Sequence, residues 1–579
     1  MPFRRNLNSA KAFAHTPGEP PRWRSRAVAV SFTMGFVALA IRALWVQCIN
    51  DDFYQHQGAL RQIREFVIHA ERGRLLDREG HPLAVSLPTR AVWMDASAEP
   101  QVSRKNVLAL AALLGITPER IASISGEHRS FAYLSREVPI RIAQQVITLD
   151  IPGVYSQPDY RRYYPEANAA AHVTGFSSVD GIGQEGMEKV GDHLLAGVDG
   201  SRRVLRNAHG QAIETLAVKH PRPGKDIRLS IDEPIQYATF KAVKAAVDRT
   251  GAKAGSAIVL DAHTGEILAL ANWPTFDPNR RRGRVGAQVR NRALTDVFEP
   301  GSVLKPLTIA LALQRGIVTP RSVVSTGGGR LLLDHAVIHD DKDFGTLTVS
   351  QVIQKSSNVG TTKIALLLSP QDMWGNFRAV GLGRAPVTGL PGAARGTLRP
   401  YRQWRRIEQA TMSYGYGLSA SLLQLAQVYT TFANDGVYVP ASIYAKRGEP
   451  VYGRQVYTPV VARQVRSMLQ TVVSDDGTAP QAEVPGYTVA GKTGTAYQWT
   501  AHGYDHHKYR ASFVGIVPAQ APRVIVAVSI DQPRIGSHFG GAVSGPAFAD
   551  IATQVMRILN VMPDKPGPNY VAEGGEPDA

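Results

Sequence analysis

Residues 256–271 read SAIVLDAHTGEILALA. Two short apolar runs flank the segment AHTG, whose glycine suits a tight turn, and this arrangement predicts a β-hairpin. Upstream, Asp232 is a suitable N-cap for a helix that begins at Glu233 and runs to about Asp248, with a proline in its first turn. A helix followed by antiparallel strands predicts an α/β (α+β) domain in which helices pack on an antiparallel sheet.

The chain has 579 residues, which is too long for one ordinary core, so several domains are expected. A Pro/Gly-rich stretch at 221–226 marks a boundary, and the end of the chain is rich in Pro, Gly and acids. The expected segments are a cytoplasmic tail at 1–26, a transmembrane anchor at 27–49, a β-rich non-catalytic pedestal at 50–224, a catalytic domain at 225–563 and a disordered tail at 564–579.

Within the pedestal, residues 72–86 predict a strand, a glycine turn and a second strand. Residues 107–114 and 139–149 have helical periodicity. No nucleophile is placed beside a base in this region. It is therefore interpreted as a structural or interaction module.

The composition excludes several classes of protein. Hydrophobic residues make up 44% and charged residues 20%, a globular balance, and the formal net charge is +17. The sequence has no zinc-finger spacing, RNA-recognition signature or basic zipper, so a nucleic-acid partner is not expected. One cysteine, Cys48, excludes an intramolecular disulfide and a cysteine metal site, and no cofactor is predicted.

Residues 27–49 read AVAVSFTMGFVALAIRALWVQCI and contain one charge, Arg42, close to one end. This length is enough to cross a hydrocarbon core of about 30 Å. Six Lys/Arg and one acid precede the segment, whereas two aspartates follow it, so the positive-inside rule places the N-terminus in the cytoplasm. A cleaved signal peptide is one alternative, but the apolar run exceeds the usual length of such a segment. A buried core helix is the other, and the basic residues that precede the run argue against it.

Residues 299–306, EPGSVLKP, place a serine and a lysine three positions apart. Pro306 is tolerated only in a first helical turn, so a helix must begin near Ser302. The serine then lies at a helix N-terminus, where free N–H groups favour developing negative charge, and the lysine lies on the same face. Partial desolvation favours neutral Lys305, so Ser302 is the predicted nucleophile and Lys305 its general base.

Residues 355–358, KSSN, follow a predicted helix at 349–353. The hydroxyl of Ser356 can relay a proton to a leaving amine. The amide of Asn358 can orient the lysine and a substrate carbonyl, and Ser357 between them is a predicted substrate contact.

Residues 490–495, AGKTGT, lie in a predicted strand at 487–496. Lys492 brings a second positive charge, which is expected to lower the pKa of a nearby Lys305 and to attract a substrate carboxylate. The segment lacks the glycine spacing of a Walker loop, so a nucleotide site is not expected.

The neighbouring positions supply substrate contacts. The hydroxyls of Thr493 and Thr495 can bind the carboxylate, and Gly494 permits close approach of another backbone or of the substrate. The backbone N–H of Thr495, together with that of Ser302, is predicted to form an oxyanion hole.

Two further patterns have simpler interpretations. His502, His506 and His507 surround Asp505 with a spacing that can bind zinc, but a solvated polar loop explains them better, and no metal is predicted. The three glycines at 327–329 have no strand–glycine–helix frame and are interpreted as a turn.

Ser-x-x-Lys, Ser-x-Asn and Lys-Thr-Gly, in this order, resemble the penicillin-binding and serine β-lactamase superfamily. Other segments resemble class B penicillin-binding proteins, and GGAVSGP at 540–546 resembles the septal, FtsI-type members in particular. The class B segments lie at 72–78, 162–165, 171–176, 183–189 and 413–418.

The resemblance implies a single-pass D,D-transpeptidase of the bacterial inner membrane, with a dimerisation-type pedestal and a periplasmic catalytic domain. Such enzymes crosslink peptidoglycan stem peptides at the septum and are targets of β-lactams. The implied partners are an FtsW-type glycosyltransferase and other divisome membrane proteins. The implied reaction is acylation of Ser302 by a terminal D-Ala-D-Ala bond, followed by attack of an amine from a neighbouring stem peptide.

Other functions remain as alternatives. One is an elongation-type transpeptidase or a D,D-carboxypeptidase acting on the same substrate. Another is a non-catalytic β-lactam sensor or divisome scaffold, against which the complete set of motif residues argues. A sensor would also need more cytoplasmic machinery than residues 1–26 provide.

Overall fold

A computed structural model describes most of the chain, and its described parts are residues 22–49, 63–95, 102–126, 131–206, 212–282, 284, 286–446, 448–500 and 503–565. Two compact units can be separated: residues 1–67 with 201–220, and residues 68–200 with 221–579. Most of the predicted cytoplasmic tail and the predicted disordered tail from residue 566 onward lie outside the described residues.

The first unit contains an exposed apolar helix and a small sheet. The helix spans Arg22–Leu44 and continues as a π-helical turn at Trp45–Ile49. It is long and apolar enough to cross a membrane, which fits a single-pass anchor. Near its end, the Arg42 guanidinium lies 4.4 Å from the centre of the Trp45 ring. A three-stranded sheet is formed by Ile63–Ile68, Gly200–Arg206 and Ala212–Lys219.

In the second unit, residues 68–200 combine a sheet with short helices. The predicted strand–turn–strand at 72–86 is confirmed as an antiparallel pair, and both predicted helical segments are helices. The strands of this sheet are Leu75–Leu76, Pro82–Met94, Ala132–Val138 and Val154–Tyr163, with Ile227–Arg228 at its edge. Phe176–Ser177 and Gly183–Glu185 form a separate antiparallel pair. The helices are Arg104–Leu114, Pro118–Gly126, Ile140–Thr148, Ala167–Thr174, Gly186–Val190 and Asp192–Leu195.

A buried ionic cluster links three of the segments that carry the family resemblance. Arg72 Nε donates to Glu188 Oε2 at 2.6 Å, and Arg162 Nε donates to Glu188 Oε1 at 2.7 Å. Arg72 also donates to Asp192 Oδ1 at 2.7 Å. The Glu188 side chain is fully buried, and both arginine side chains are 6% exposed. These residues therefore hold together segments that are distant in the sequence of residues 68–200.

The remainder of the second unit is built on a five-stranded antiparallel sheet. Its strands are β1 (Ala254–Asp261), β2 (Ile267–Trp273), β3 (Ala490–Thr500), β4 (Gly503–Val517) and β5 (Val524–Asp531). They lie in the order β2-β1-β5-β4-β3. The predicted hairpin is β1–β2, in which Ala257 pairs with Ala271.

Helices pack on this sheet and on one another, as the predicted fold class requires. The main ones are α1 (Glu233–Thr250), α2 (Lys305–Gln314), α3 (Asn358–Ala365), α4 (Leu422–Ala433) and α5 (Gly540–Ile558). The predicted cap is confirmed, because Asp232 Oδ1 accepts from the N–H of Ile235 at 3.3 Å. The helices α1 and α5 pack against each other and the sheet, and every residue of α4 is buried. Complete burial places α4 in the core, where its polar side chains are also enclosed.

Further elements lie between the main ones along the chain. The helices are Arg292–Thr295, Val349–Gln354, Pro370–Ala379, Arg406–Ser413 and Pro459–Gln470, with 3-10 turns at Gly286–Gln288, Gly301–Leu304, Tyr401–Gln403 and Pro480–Ala482. The strands are Val297–Phe298, Val323–Ser325, Arg330–Leu333, Ala336–His339, Thr346–Thr348, Ala420–Ser421, Val437–Tyr438 and Arg454–Gln455.

Candidate active site

Ser302 lies in a 3-10 turn, Gly301–Leu304, that continues directly into α2 with Pro306 in the first helical turn. The predicted helix start near Ser302 is confirmed. Gly301 has a φ of +58°, and a Cβ added to it would lie 3.2 Å from the carbonyl oxygen of Thr495. A glycine in this left-handed conformation therefore allows the turn to lie against β3.

Gly494 allows the same close approach from the strand side. A Cβ added to it would lie 2.8 Å from the carbonyl oxygen of Pro300 and 2.4 Å from Ser512 Oγ. Both distances are too short for a real side chain. The backbone of the Lys-Thr-Gly strand therefore runs directly beside the Ser302 turn.

Lys305 is fully buried. Its Nζ donates to the carbonyl oxygen of Ser356 and to Ser356 Oγ, the latter at 3.1 Å. Burial lowers the pKa of Lys305 to about 7, and the nearby carboxylates of Asp340 and Asp341 oppose this effect. Near neutral pH, a large fraction of Lys305 therefore carries no charge and can accept a proton.

Lys492 is also fully buried, and its Nζ donates to Ser356 Oγ at 2.9 Å. Burial, and secondarily the charge of Lys305, hold the pKa of Lys492 well below its ordinary value. Burial is the largest cause of the lowered pKa at both lysines, and repulsion between the two neighbouring charges acts in the same direction.

Ser356 connects the two lysines. Its hydroxyl lies between their ammonium groups, and its backbone has a φ of +59°. Non-glycine residues in this left-handed region are uncommon and are often found at functional sites. The conformation aims both the carbonyl and the hydroxyl of Ser356 at Lys305.

Ser357 and Asn358 are held by a carboxylate that the sequence analysis did not select. Ser357 Oγ donates to Asp340 Oδ2 at 2.6 Å and accepts from the N–H of Gly360 at 2.8 Å, which caps α3. The N–H of Asn358 donates to Asp340 Oδ1 at 2.5 Å. Asp340 thus fixes the second motif, although its position in the sequence gives no spacing signal.

The side chains of these two residues are not both available to a substrate. Ser357 is fully buried and its hydroxyl is used in capping α3, so its predicted contact with substrate gains no support from its position. Asn358 Nδ2 donates to the carbonyl oxygen of His339 at 2.9 Å, and this residue is partly exposed. Substrate contact stays a prediction for both.

The two threonines of the third motif differ in their surroundings. Thr493 Oγ1 lies 3.0 Å from Thr478 Oγ1 and 3.3 Å from Lys492 Nζ. Thr495 Oγ1 accepts from the N–H of Gly540 at 2.9 Å, which attaches the start of α5 to β3. The segment 540–546, which resembles septal enzymes, therefore begins at the active site.

The histidine cluster does not lie in a loop as expected. His506 and His507 lie in β4, which pairs with β3, and the His506 ring packs against that of Tyr497 at 4.7 Å. His502 lies outside the described residues. Across the described part of the chain, no group of three or more His, Cys, Asp or Glu side chains is arranged to hold a metal ion.

The comparisons with known proteins agree with this geometry. The model of the penicillin-binding protein transpeptidase domain matches residues 255–553, and that of the penicillin-binding protein dimerisation domain matches residues 67–229. The chain is 38% identical to the probable peptidoglycan D,D-transpeptidase PbpC of Pseudomonas aeruginosa, over 93% of this chain and 95% of that protein. It is 37% identical to the peptidoglycan D,D-transpeptidase FtsI of Escherichia coli, over 94% and 93% respectively.

A solved structure is also similar. The transpeptidase domain of Burkholderia pseudomallei penicillin-binding protein 3 is 55% identical, with a TM-score of 0.55, and the match covers 58% of this chain and 98% of that one. The chain belongs to the penicillin-binding protein transpeptidase family, with a dimerisation domain preceding the catalytic domain.

Proposed function

We propose that this chain is a peptidoglycan D,D-transpeptidase that crosslinks stem peptides at the division septum through an acyl-enzyme on Ser302. The observation that carries the proposal is the buried Lys305–Ser356–Lys492 cluster beside the Ser302 turn. Two buried lysines sharing one hydroxyl are costly to fold, because burial disfavours their charged forms and their charges repel. Such an arrangement is typical of a site built to move protons.

In the first step, neutral Lys305 takes the proton of Ser302, which attacks the carbonyl of the terminal D-Ala-D-Ala bond. A base whose pKa lies near the working pH combines sufficient basicity with the correct protonation state. Ser356, in contact with both lysines, relays a proton to the departing D-Ala, and Lys492 attracts the substrate carboxylate. The N–H groups of Ser302 and Thr495 are the proposed oxyanion hole.

In the second step, an amine of a neighbouring stem peptide attacks the acyl-enzyme and the crosslink forms. Ser302 Oγ recovers its proton through Lys305. A β-lactam reproduces the first step and stalls the second, which makes the chain a β-lactam target. Asn358 is proposed to orient the substrate carbonyl, and Ser357, Thr493 and Gly494 are proposed to flank the bound peptide.

The septal role is supported by the similarity to FtsI and by the septal-type segment 540–546, which begins beside Thr495. An elongation-type transpeptidase or a D,D-carboxypeptidase remains the second candidate, because the same cluster serves either. Depletion of the protein in growing cells distinguishes the roles: filaments support the septal role, whereas rounded cells support the elongation role.

The membrane orientation, the domain bounds and the partners are also proposed. The basic residues before the apolar helix support a cytoplasmic N-terminus and a periplasmic catalytic domain in the inner membrane. The matched ranges support a pedestal at 50–224 and a catalytic domain at 225–563. An FtsW-type glycosyltransferase and other divisome membrane proteins are the proposed partners.

The direct test is intact mass spectrometry of the full-length protein after treatment with benzylpenicillin, followed by peptide mapping. We expect one added penicilloyl group on the peptide that contains Ser302. Modification of another residue, or none in protein shown to be folded, would overturn the proposal.

A further inference from the structure

A large cleft lies next to the segment that precedes the Ser302 turn. It has a volume of about 1150 Å³, and its walls include Glu299, Asn358 and Tyr497. Glu299 immediately precedes the Ser302 turn, Asn358 belongs to the second motif, and Tyr497 follows Lys492 on β3. The cleft is therefore lined by residues of the first two motif segments and by the strand that carries the third, and it is large enough for part of a peptide substrate.

Glu299 uses only one of its two carboxylate oxygens. Its Oε1 accepts from the N–H of Gly417 at 2.7 Å and from the hydroxyl of Tyr504 at 3.0 Å. Its Oε2 is shielded from solvent and has no hydrogen-bond partner among the described residues. A carboxylate has about four acceptor sites, and a buried acceptor without a donor is unfavourable. Burial correspondingly raises the pKa of Glu299.

In Glu408, the other acid of the cleft, both carboxylate oxygens accept hydrogen bonds. Glu408 Oε1 accepts from Arg399 at 2.8 Å, and its Oε2 accepts from the N–H of Arg405 at 2.8 Å. Within the cleft walls, Glu299 is thus the acid with an unused oxygen.

Aromatic rings pack around Tyr504, whose hydroxyl donates to this carboxylate. The ring of Tyr504 lies 5.8 Å from that of Tyr416 and 4.9 Å from that of Trp499. The faces of such rings attract cations. An anionic oxygen among aromatic rings fits a small cation that also donates hydrogen bonds, and a primary ammonium group has both properties.

We propose that Glu299 binds a protonated primary amine of the peptide substrate in this cleft. The proposal rests on the proposed function, since crosslinking brings an amine to the acyl-enzyme. The terminal torsion of a glutamate is soft, so rotation of the carboxylate presents its unused lone pairs to the cleft.

The ammonium group has two possible sources, the attacking amine of the acceptor peptide and a side-chain amine of the donor peptide. For the acceptor, the bound ammonium first releases one proton to solvent. Its nitrogen then bonds to the acyl carbon, the bond from that carbon to Ser302 Oγ breaks, and the second proton passes to Oγ through Lys305.

The test compares wild-type full-length protein in detergent with Glu299→Gln, and uses Glu408→Gln as the matched control in the same cleft. In one arm, a thioester donor without amines forms the acyl-enzyme, and its partition between water and a diamino-acid peptide acceptor is measured. In the other arm, acylation rates are compared for a donor peptide with a free side-chain amine and for the same peptide after N-acetylation.

We expect Glu299→Gln to lower the preference for the amine on the order of tenfold in one arm, as loss of a hydrogen bond to a charged group predicts. A loss in the first arm assigns the site to the acceptor, and a loss in the second assigns it to the donor. Glu408→Gln should change neither preference.

The proposal is overturned if Glu299→Gln matches wild type in both arms, or if Glu408→Gln shows the same loss. Acylation of Ser302 by benzylpenicillin is measured in every variant. Failure of wild-type acylation would count against the proposed function itself, whereas normal acylation with unchanged amine preference would count against the Glu299 site alone.

Discussion

Two buried polar clusters of this chain have opposite electrostatic designs. In the pedestal, Glu188 lies between Arg72 and Arg162, so each buried charge has an oppositely charged partner. In the catalytic domain, Lys305 and Lys492 both contact Ser356, and neither has an ion-pair partner among the described residues. The first arrangement stabilises a structure, whereas the second raises the energy of charged lysine and thereby provides a base.

The largest effect on the catalytic cluster is expected from removal of the nucleophile. Ser302→Ala should abolish covalent labelling by fluorescent penicillin, because the variant lacks the hydroxyl that is proposed to carry the acyl group. Labelling is read after denaturing electrophoresis, with circular dichroism as the control for folding. Persistent labelling of the folded variant would refute the assignment of Ser302.

Removing the base should have the next largest effect. Lys305→Ala is expected to slow penicillin acylation by about 10²- to 10⁴-fold, the usual contribution of general-base catalysis. The second-order acylation rate constant is the measurement. A rate close to that of wild type would place the base elsewhere.

Disruption of the Arg72–Glu188–Arg162 cluster should lower the stability of the folded protein. Glu188→Gln leaves two buried arginines without their shared carboxylate, and we expect about 3–5 kcal/mol of destabilisation. Thermal unfolding is the measurement, and Asp248→Asn, which breaks an exposed pair with Lys244, is a control expected to change little. Acylation per folded molecule should remain near that of wild type; a catalytic defect without unfolding would contradict the structural role.

The acylation rate should depend on pH through Lys305. Because burial lowers the pKa of Lys305 to about 7, the acylation rate should rise about tenfold per pH unit below 7 and level off above it. The rate should rise with pH because only the neutral amine of Lys305 can accept the proton. A rate independent of pH between 5 and 8 would show that Lys305 does not titrate in the step measured.

The smallest expected effect concerns the contact between the strand and the Ser302 turn. Gly494→Ala adds a Cβ close to Pro300 and Ser512, and overpacking of this kind costs about 1–3 kcal/mol. We expect a lower melting temperature and slower acylation. Unchanged values for both would show that β3 can move away from the turn without loss.

Local geometry explains what could be predicted. The helix start at Ser302 follows from Pro306, and the cap at Asp232 follows from short-range hydrogen bonding, because both depend on residues within one helical turn. The β1–β2 hairpin follows equally from its turn and its apolar runs. The prediction of a loop at His506 and His507 is wrong because this polar stretch forms the first part of β4.

The sequence by itself determined the three motifs, their order, the apolar helix and the fold class, since each depends on residue type and short spacing. Only the tertiary structure decided that Asp340 fixes the second motif, that Ser357 is buried, and that burial of Lys305 lowers its pKa. These facts depend on contacts between distant segments and on the exclusion of water, and both arise only when the chain has folded.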